Sequence, residues 1–317
     1  MKEENEIISL KGVFRRYGYG DAENYAIDEI DFDVKQGEFV MIMGPSGCGK
    51  TTLLNILGFL DKLNGGEYYL GGELVSKMSG KKKARMRASK IGFVFQNFNL
   101  ISDMTVIDNV ALQLVYMGIG KTKRLIAASE MLERFHLKER EYYMPHQLSG
   151  GQQQRVAIAR SLVSKPEIIL ADEPTGNLDS KTAHIVMEEL KAIHDEGNTI
   201  IMVTHNSELL SYATRVIKML DGKIVEDSNE KGKNGVVGRG MAVSLAVGEK
   251  KVYPLPRRPV LPRVSRVEIL QKSSEIVGVG EKNDGKDDKR LNDFVGKNER
   301  TEVDTTIMKS AEVDGGD

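Results

Sequence analysis

Between residues 1 and 227 the apolar positions fall into short blocks whose spacing changes along the chain. Ile30, Phe32 and Val34 alternate with Asp31 and Asp33, the period of two that marks a strand with one wet face. Phe39–Met43, Ile168–Ala171 and Thr199–Val203 are continuous apolar runs, as expected of parallel strands buried on both faces. Helical spacing follows each run, so the succession predicts βαβ units: a parallel sheet covered by helices. Residues 105–163 read differently, as mostly helix. Thr105 caps a predicted helix over Val106–Met117, a second pattern covers Lys123–Phe135, and a third covers Gln152–Val163 with Val156, Ala159 and Val163 on one face. This stretch reads as a helical insertion in the α/β core. Val216–Leu220, the pair Asp221-Gly222 and Lys223–Val225 predict a hairpin with a two-residue turn.

The pattern stops near Asp227. Beyond it Gly, Ser and charged residues dominate, aromatics fall to Tyr253 and Phe294, and four of the eight prolines gather at Pro254, Pro256, Pro259 and Pro262. An extended spacer is expected there, and residues 228–317 read as a largely disordered, low-complexity tail with one short ordered patch around Val264–Ile276. Lys plus Arg (45) nearly balances Asp plus Glu (46), so the overall charge gives no reason to expect a nucleic-acid partner. The single cysteine, Cys48, excludes an intramolecular disulfide. The acidic start Met1–Glu6 has no apolar stretch behind it and is not a secretory signal. No run approaches the roughly 18 apolar residues of a bilayer span. Any work at a membrane is therefore expected to need another polypeptide.

Chemistry concentrates in three places. Gly44-Pro45-Ser46-Gly47-Cys48-Gly49-Lys50-Thr51 matches GxxxxGK[ST], between an apolar strand and a helical run, Thr52–Leu60. The glycines let backbone N–H groups turn inward around a polyphosphate, and the new helix adds its unsatisfied N–H groups and dipole. Lys50 suits the β- and γ-phosphates, and Thr51 offers a hydroxyl to Mg²⁺. This loop alone does not separate kinases, GTPases, motors and transporters. Second, Ile168–Glu173 is a buried strand ending in two carboxylates. Asp172 suits the Mg²⁺, and Glu173 is placed to orient and deprotonate a water. Third, Ser149, Gly150 and Gly151 open a helix, another place where N–H groups and a hydroxyl meet an anion.

Leu148-Ser149-Gly150-Gly151-Gln152, continuing as Gln153–Arg160, resembles the signature motif of the ABC (ATP-binding cassette) ATPases. Other motifs of that family follow in order. Gln96, after Ile91–Phe95, resembles the Q-loop glutamine. Gly176-Asn177-Leu178-Asp179 resembles the D-loop. His205 resembles the switch histidine, and Tyr17 resembles the aromatic that stacks on adenine, with Phe14 and Tyr25 as local rivals. The resemblance covers roughly residues 5–227. Gly92–Leu100 and Asp172–Asp179 bring it closer to the exporter-type subgroup of macrolide-efflux and lipoprotein-release ATPases. Cys48 and Thr51 stand where relatives often have serine.

The resemblance implies a P-loop NTPase (RecA-like) parallel-sheet core with an N-terminal antiparallel β subdomain and a helical subdomain at about 97–163. It implies ATP and Mg²⁺, with Glu173, His205, Gln96 and Lys50 catalytic. Nucleotide contacts are implied at Tyr17, Gly44, Pro45, Ser46, Gly47, Cys48, Gly49, Lys50, Thr51, Thr52, Ser149, Gly150, Gly151, Gln152 and Asp179. Metal contacts are implied at Thr51, Gln96 and Asp172. It further implies a homodimer closed around ATP, transmembrane permease subunits as partners, and a peripheral place on the cytoplasmic face of the membrane. Two other readings stay open. A soluble relative acting on ribosomes or DNA usually carries two cassettes or a long coiled-coil insertion. A regulatory module that holds ATP without hydrolysis would not need Glu173 and His205.

Overall fold

The computed structural model describes residues 6–18 and 24–229. In chain order the strands are β1 (Glu6–Tyr17), β2 (Asn24–Lys35), β3 (Phe39–Met43), β4 (Gly65–Leu70), β5 (Glu73–Leu74), β6 (Ile91–Phe95), β7 (Ile168–Asp172), β8 (Thr199–Val203), β9 (Arg215–Leu220) and β10 (Lys223–Asp227). The helices are α1 (Lys50–Leu57), α2 (Gly80–Lys90), α3 (Val106–Tyr116), α4 (Lys121–Arg134), α5 (Gly150–Leu162) and α6 (Ser180–Asp195). Apart from Ser228 and Asn229, the expected tail and its patch at Val264–Ile276 lie outside the described residues.

The central sheet runs β10-β9-β3-β8-β7-β6, parallel from β9 to β6, with β10 antiparallel at one edge. Its inner strands are apolar on both faces because each face closes a core. Phe39, Met41, Ile169, Ala171, Ile200 and Met202 join one core, with α3, α4, α5 and α6. Val40, Ile42, Ile168, Leu170, Ile201 and Val203 join the other. That second core is closed by α1 and by a four-stranded antiparallel sheet, β2-β1-β4-β5, in which Leu10 faces Phe32 and Val13 faces Ile30. Burial of these runs is the main stabilising term.

The helical insertion is α3, α4 and α5. Thr105 caps α3 as the sequence predicts; α5 starts two residues earlier than predicted because Ser149 is its cap. One expectation fails and one element was missed. The stretch after β8 forms only a 3-10 helix, Ser207–Tyr212, capped by Asn206, with only Leu209 buried to anchor it. And α2 was not foreseen: Ser79 caps it, but only Met86 and Ala88 are buried, so it has no apolar stripe to read. The hairpin β9–β10 turns at Asp221-Gly222 as predicted, both residues having positive φ.

Arg215, on β9, is buried and stitches the edge of the sheet. Its guanidinium bonds both Asp227 oxygens (3.0 and 2.5 Å), the Asp33 carbonyl (2.9 Å) and Glu38 (3.3 Å). Burial alone would raise the Asp227 carboxyl; the bond and charge of Arg215 outweigh it and hold the group below the usual carboxylate range.

Candidate active site

A cleft of about 660 Å³ opens at the carboxyl ends of the parallel strands, where α/β sheets bind ligands. Ala26, Ser46, Gly47, Gly49, Lys50, Thr51, Thr52, Gln96, Asp172, Glu173 and His205 line it. Strand β2 brings Ala26, the loop after β3 and the start of α1 bring the lining residues from Ser46 to Thr52, the end of β6 brings Gln96, the end of β7 brings the two carboxylates and the end of β8 brings His205. Residues far apart in sequence therefore converge because their strands are neighbours.

The β3–α1 loop depends on glycine at two places. Gly49 has φ 102°, and a Cβ there would lie 2.1 Å from the Ala26 carbonyl oxygen; at Gly44 a Cβ would lie 2.3 Å from the Met219 carbonyl oxygen. No side chain caps α1, so its first N–H groups face the cleft without an internal partner. Lys50 is buried, and its Nζ donates to the carbonyls of Gly44 (2.9 Å) and Pro45 (2.8 Å). Gly44 and Pro45 thus hold the lysine rather than line the cleft. Cys48 departs further from expectation. Its side chain is 3% exposed and packs in the second core, so it does not line the loop.

Thr51 donates its hydroxyl to Asp172 Oδ1 at 3.3 Å. Burial pushes the Asp172 carboxyl up; Thr51 and Lys50 oppose this and Glu173 reinforces it, leaving the group above its ordinary value. A half-buried carboxylate facing a hydroxyl in a wet cleft suits a divalent cation. Among the described residues no three His, Cys, Asp or Glu side chains converge on one point. The donor set is thus of the kind that holds Mg²⁺ together with a ligand's phosphates.

Glu173 is held at φ 42°, uncommon and costly for a residue with a side chain. Its N–H donates to the Val203 carbonyl at 3.0 Å, and the Glu173 carbonyl accepts from Gly176 N–H at 3.0 Å. These bonds turn the carboxylate off the strand into the cleft, where Oε1 lies 2.9 Å from His205 Nδ1. Gln96 is clamped to the loop after Glu173: Asn177 Nδ2 donates to the Gln96 carbonyl (3.1 Å) and to Asn97 Oδ1 (2.9 Å), and Gln96 Nε2 donates to Asn177 Oδ1 (3.4 Å).

Three expected groups are not brought to the cleft of their own chain. Ser149, Gly150, Gly151 and Gln152 lie at the start of α5, outside it. There Ser149 Oγ accepts from Gln152 N–H (3.4 Å) while Gln152 Oε1 accepts from Ser149 N–H (3.0 Å), a capping box. Asp179 caps α6 through Thr182 N–H (3.0 Å) and the Thr182 hydroxyl (2.6 Å), and these bonds hold its carboxyl low. Tyr17 is 44% exposed and does not line the cleft. Its hydroxyl donates to Asp61, and the Arg15 guanidinium, paired with Asp61 at 2.9 Å, lies 4.3 Å from its ring centroid.

Sequence reasoning missed Ala26, an ordinary strand residue until Gly49 packs on its carbonyl. It also missed Gln154, fully buried with Nε2 donating to the Pro174 carbonyl at 2.6 Å. A polar residue on the apolar face of α5 was the only available signal.

A family model described as ABC transporter matches residues 27–176. An uncharacterized ABC transporter ATP-binding protein of Methanocaldococcus jannaschii is 50% identical over 224 residues, 71% of this chain and 100% of that relative. The chain belongs to the ABC transporter family. It is an ATP-binding cassette of that family, an ATPase working with ATP and Mg²⁺. The macrolide export ATP-binding/permease protein MacB of Aggregatibacter actinomycetemcomitans is 44% identical over 225 residues, 71% of this chain but only 35% of MacB. Among solved structures, a dimeric post-hydrolysis ATP-binding cassette bound to ADP and Pi is similar, with TM-score 0.66 and 41% identity over 71% of this chain and 99% of that one. The α/β core, the antiparallel sheet and the helical insertion are thus those of ABC ATPase cassettes.

Proposed function

We propose that two copies of this ABC ATPase close head to tail around ATP and drive a separate membrane permease in an exporter-type complex on the cytoplasmic face. One observation carries the pairing. The cleft holds Lys50, Thr51, Gln96, Asp172, Glu173 and His205, while the Ser149 helix lies outside it. A γ-phosphate gripped by one copy would meet the α5 start of another, and each site would need both chains. The dimeric cassette with ADP and Pi supports this by likeness. The likeness to MacB, an export ATP-binding/permease protein, supports the exporter reading. A separate permease is supported by the M. jannaschii relative, which is named as an ATP-binding protein and is matched over its whole length.

In this reading Lys50 leaves its two carbonyls for the β- and γ-phosphates, and the N–H groups of Ser46 to Thr52 surround them. Thr51 and Asp172, with Gln96 in the same cleft, would hold Mg²⁺, which would supply positive charge against the phosphates. Glu173 accepts a proton from the attacking water as its oxygen bonds to the γ-phosphorus and the bond to the β-phosphate oxygen breaks. His205, at 2.9 Å from Glu173, holds the carboxylate in position. Tyr17 offers a ring to the base, and Asp179 lies at the junction of the copies. Of the tail that begins at 228, Ser228 and Asn229 bond the sheet edge, and the residues beyond them are not needed for turnover. The deciding experiment is light scattering of Glu173→Gln with ATP: a dimer is expected, and a monomer at saturating nucleotide sinks the reading.

A further inference from the structure

Directly after Gln96 the backbone makes an expensive turn. Phe98 (φ 61°) and Asn99 (φ 48°) are consecutive left-handed residues, and neither is glycine. Such residues persist only where their surroundings over-determine them. The corner is closed from within by Phe98 N–H on the Phe95 carbonyl (3.2 Å) and Asn99 N–H on the Asn97 carbonyl (2.6 Å), and one side chain holds its outward carbonyls. Arg160, near the end of α5, donates Nη2 to the Phe98 carbonyl at 2.8 Å and Nη1 to the Asn99 carbonyl at 2.5 Å. Desolvation pushes its pKa down to about 10, which leaves it charged at neutral pH. The Phe98 ring reaches along the helix toward its other end, 3.7 Å from where a Cβ on Gly150 would stand. Leu178, next to the Asn177 that clamps Gln96, lies 3.6 Å from the same point. Gln96 is therefore linked to α5 through the Arg160 bonds to Phe98 and Asn99, while the Phe98 ring and Leu178 lie near the helix start without filling the space beside Gly150.

We propose that Arg160 is a positioning residue for ATP hydrolysis: by holding the Phe98-Asn99 corner left-handed, it makes Gln96 and α5 move as one piece. Contact of nucleotide with Gln96 in a chain's own cleft then sets where that chain presents Ser149 to the other copy. This rests on the head-to-tail reading above. Arg160 touches no reacting atom, and its role differs from packing because it acts through the conformation of two specific residues.

The corner supplies the test. Asn99 is exposed and uses no side-chain bond, and glycine adopts its φ freely. In the full chain, Arg160→Lys keeps the charge but loses the two-pronged bond, and should lower kcat about tenfold with little change in ATP affinity. Asn99→Gly alone should stay within about twofold of wild type, and adding it to Arg160→Lys should restore most of the lost turnover. Packing lost at Arg160 is not repaired by glycine at 99. Wild-type turnover in Arg160→Lys overturns the proposal, and so does a double variant no faster than Arg160→Lys. Should Arg160→Lys not fold, Asn99→Val decides: it leaves Arg160 intact but disfavours positive φ, so turnover should fall, and wild-type turnover overturns the proposal. Dimer formation by Glu173→Gln, measured in parallel, separates failure of the head-to-tail reading from failure of this one.

Discussion

The starts of α1 and α5 both lie in glycine-rich sequence, and both suit an anion, yet they are built in opposite ways. At α1 the glycines are forced: positive φ, and no room for a Cβ beside the Ala26 and Met219 carbonyls. The helix has no side-chain cap, and a buried lysine waits on two carbonyls. At α5 Gly150 and Gly151 are helical, and Ser149 and Gln152 satisfy each other's N–H groups. The first site is incomplete without a ligand; the second is complete as a helix end and becomes a site only against something outside the chain. Glycine at α1 serves its own backbone, whereas Gly150 leaves space on the surface.

That contrast can be broken by mutation. The largest effect belongs to Glu173→Gln, which should lower phosphate release about 10²–10⁴-fold while ATP still binds. Wild-type turnover would mean the cleft's general base lies elsewhere. Next, Gly49→Ala should abolish measurable binding of a fluorescent ATP analogue, a loss of about 100-fold or more, because both φ and the Ala26 carbonyl oppose a Cβ. Retained affinity would mean that the loop is not set by that contact.

The α5 side rests on α6 behind it, where Glu189 Oε2 is buried without a hydrogen-bond partner. Burial raises the Glu189 carboxyl to about 7, with Arg155 of α5 opposing. The folded form therefore binds the extra proton between pH 4.5 and about 7. Stability should fall as pH rises through that window, by up to about 3 kcal/mol. Urea unfolding at pH 5 and pH 8 checks this, and Glu189→Gln should flatten the difference. The smallest structural effect is expected at Gly150→Ala. No neighbour stands closer than 3.6 Å to the new Cβ. The chain should melt unchanged or be more stable by about 0.5 kcal/mol. Its turnover should nonetheless fall, because the methyl occupies the space offered to the second copy. An unchanged rate would remove the distinction between the two helix starts.

What the amino-acid order revealed follows the same division. Gly44–Thr51 was legible because loop, lysine and helix start lie within eight consecutive residues. Asp172, Glu173 and His205 were legible because each ends an apolar strand, and the sheet order brings those ends together. Contacts between distant segments were not legible. Nothing local tells that Asn177 clamps Gln96, that Tyr17 leans on Asp61 and Arg15, or that Arg160 reaches Asn99. Nor does a loop sequence say which way Cys48 faces. Helix α2 escaped because its burial is slight: six of its eleven residues are Lys or Arg.

The network around Arg215 has a practical meaning for anyone trimming this protein. Its main counter-charge, Asp227, is itself fixed by Asn229 N–H at 3.0 Å. A chain cut before Asp227 would bury a guanidinium without that partner, at about 3–5 kcal/mol. The stop codon for a minimal cassette belongs after Asn229, where the sheet edge keeps its electrical balance.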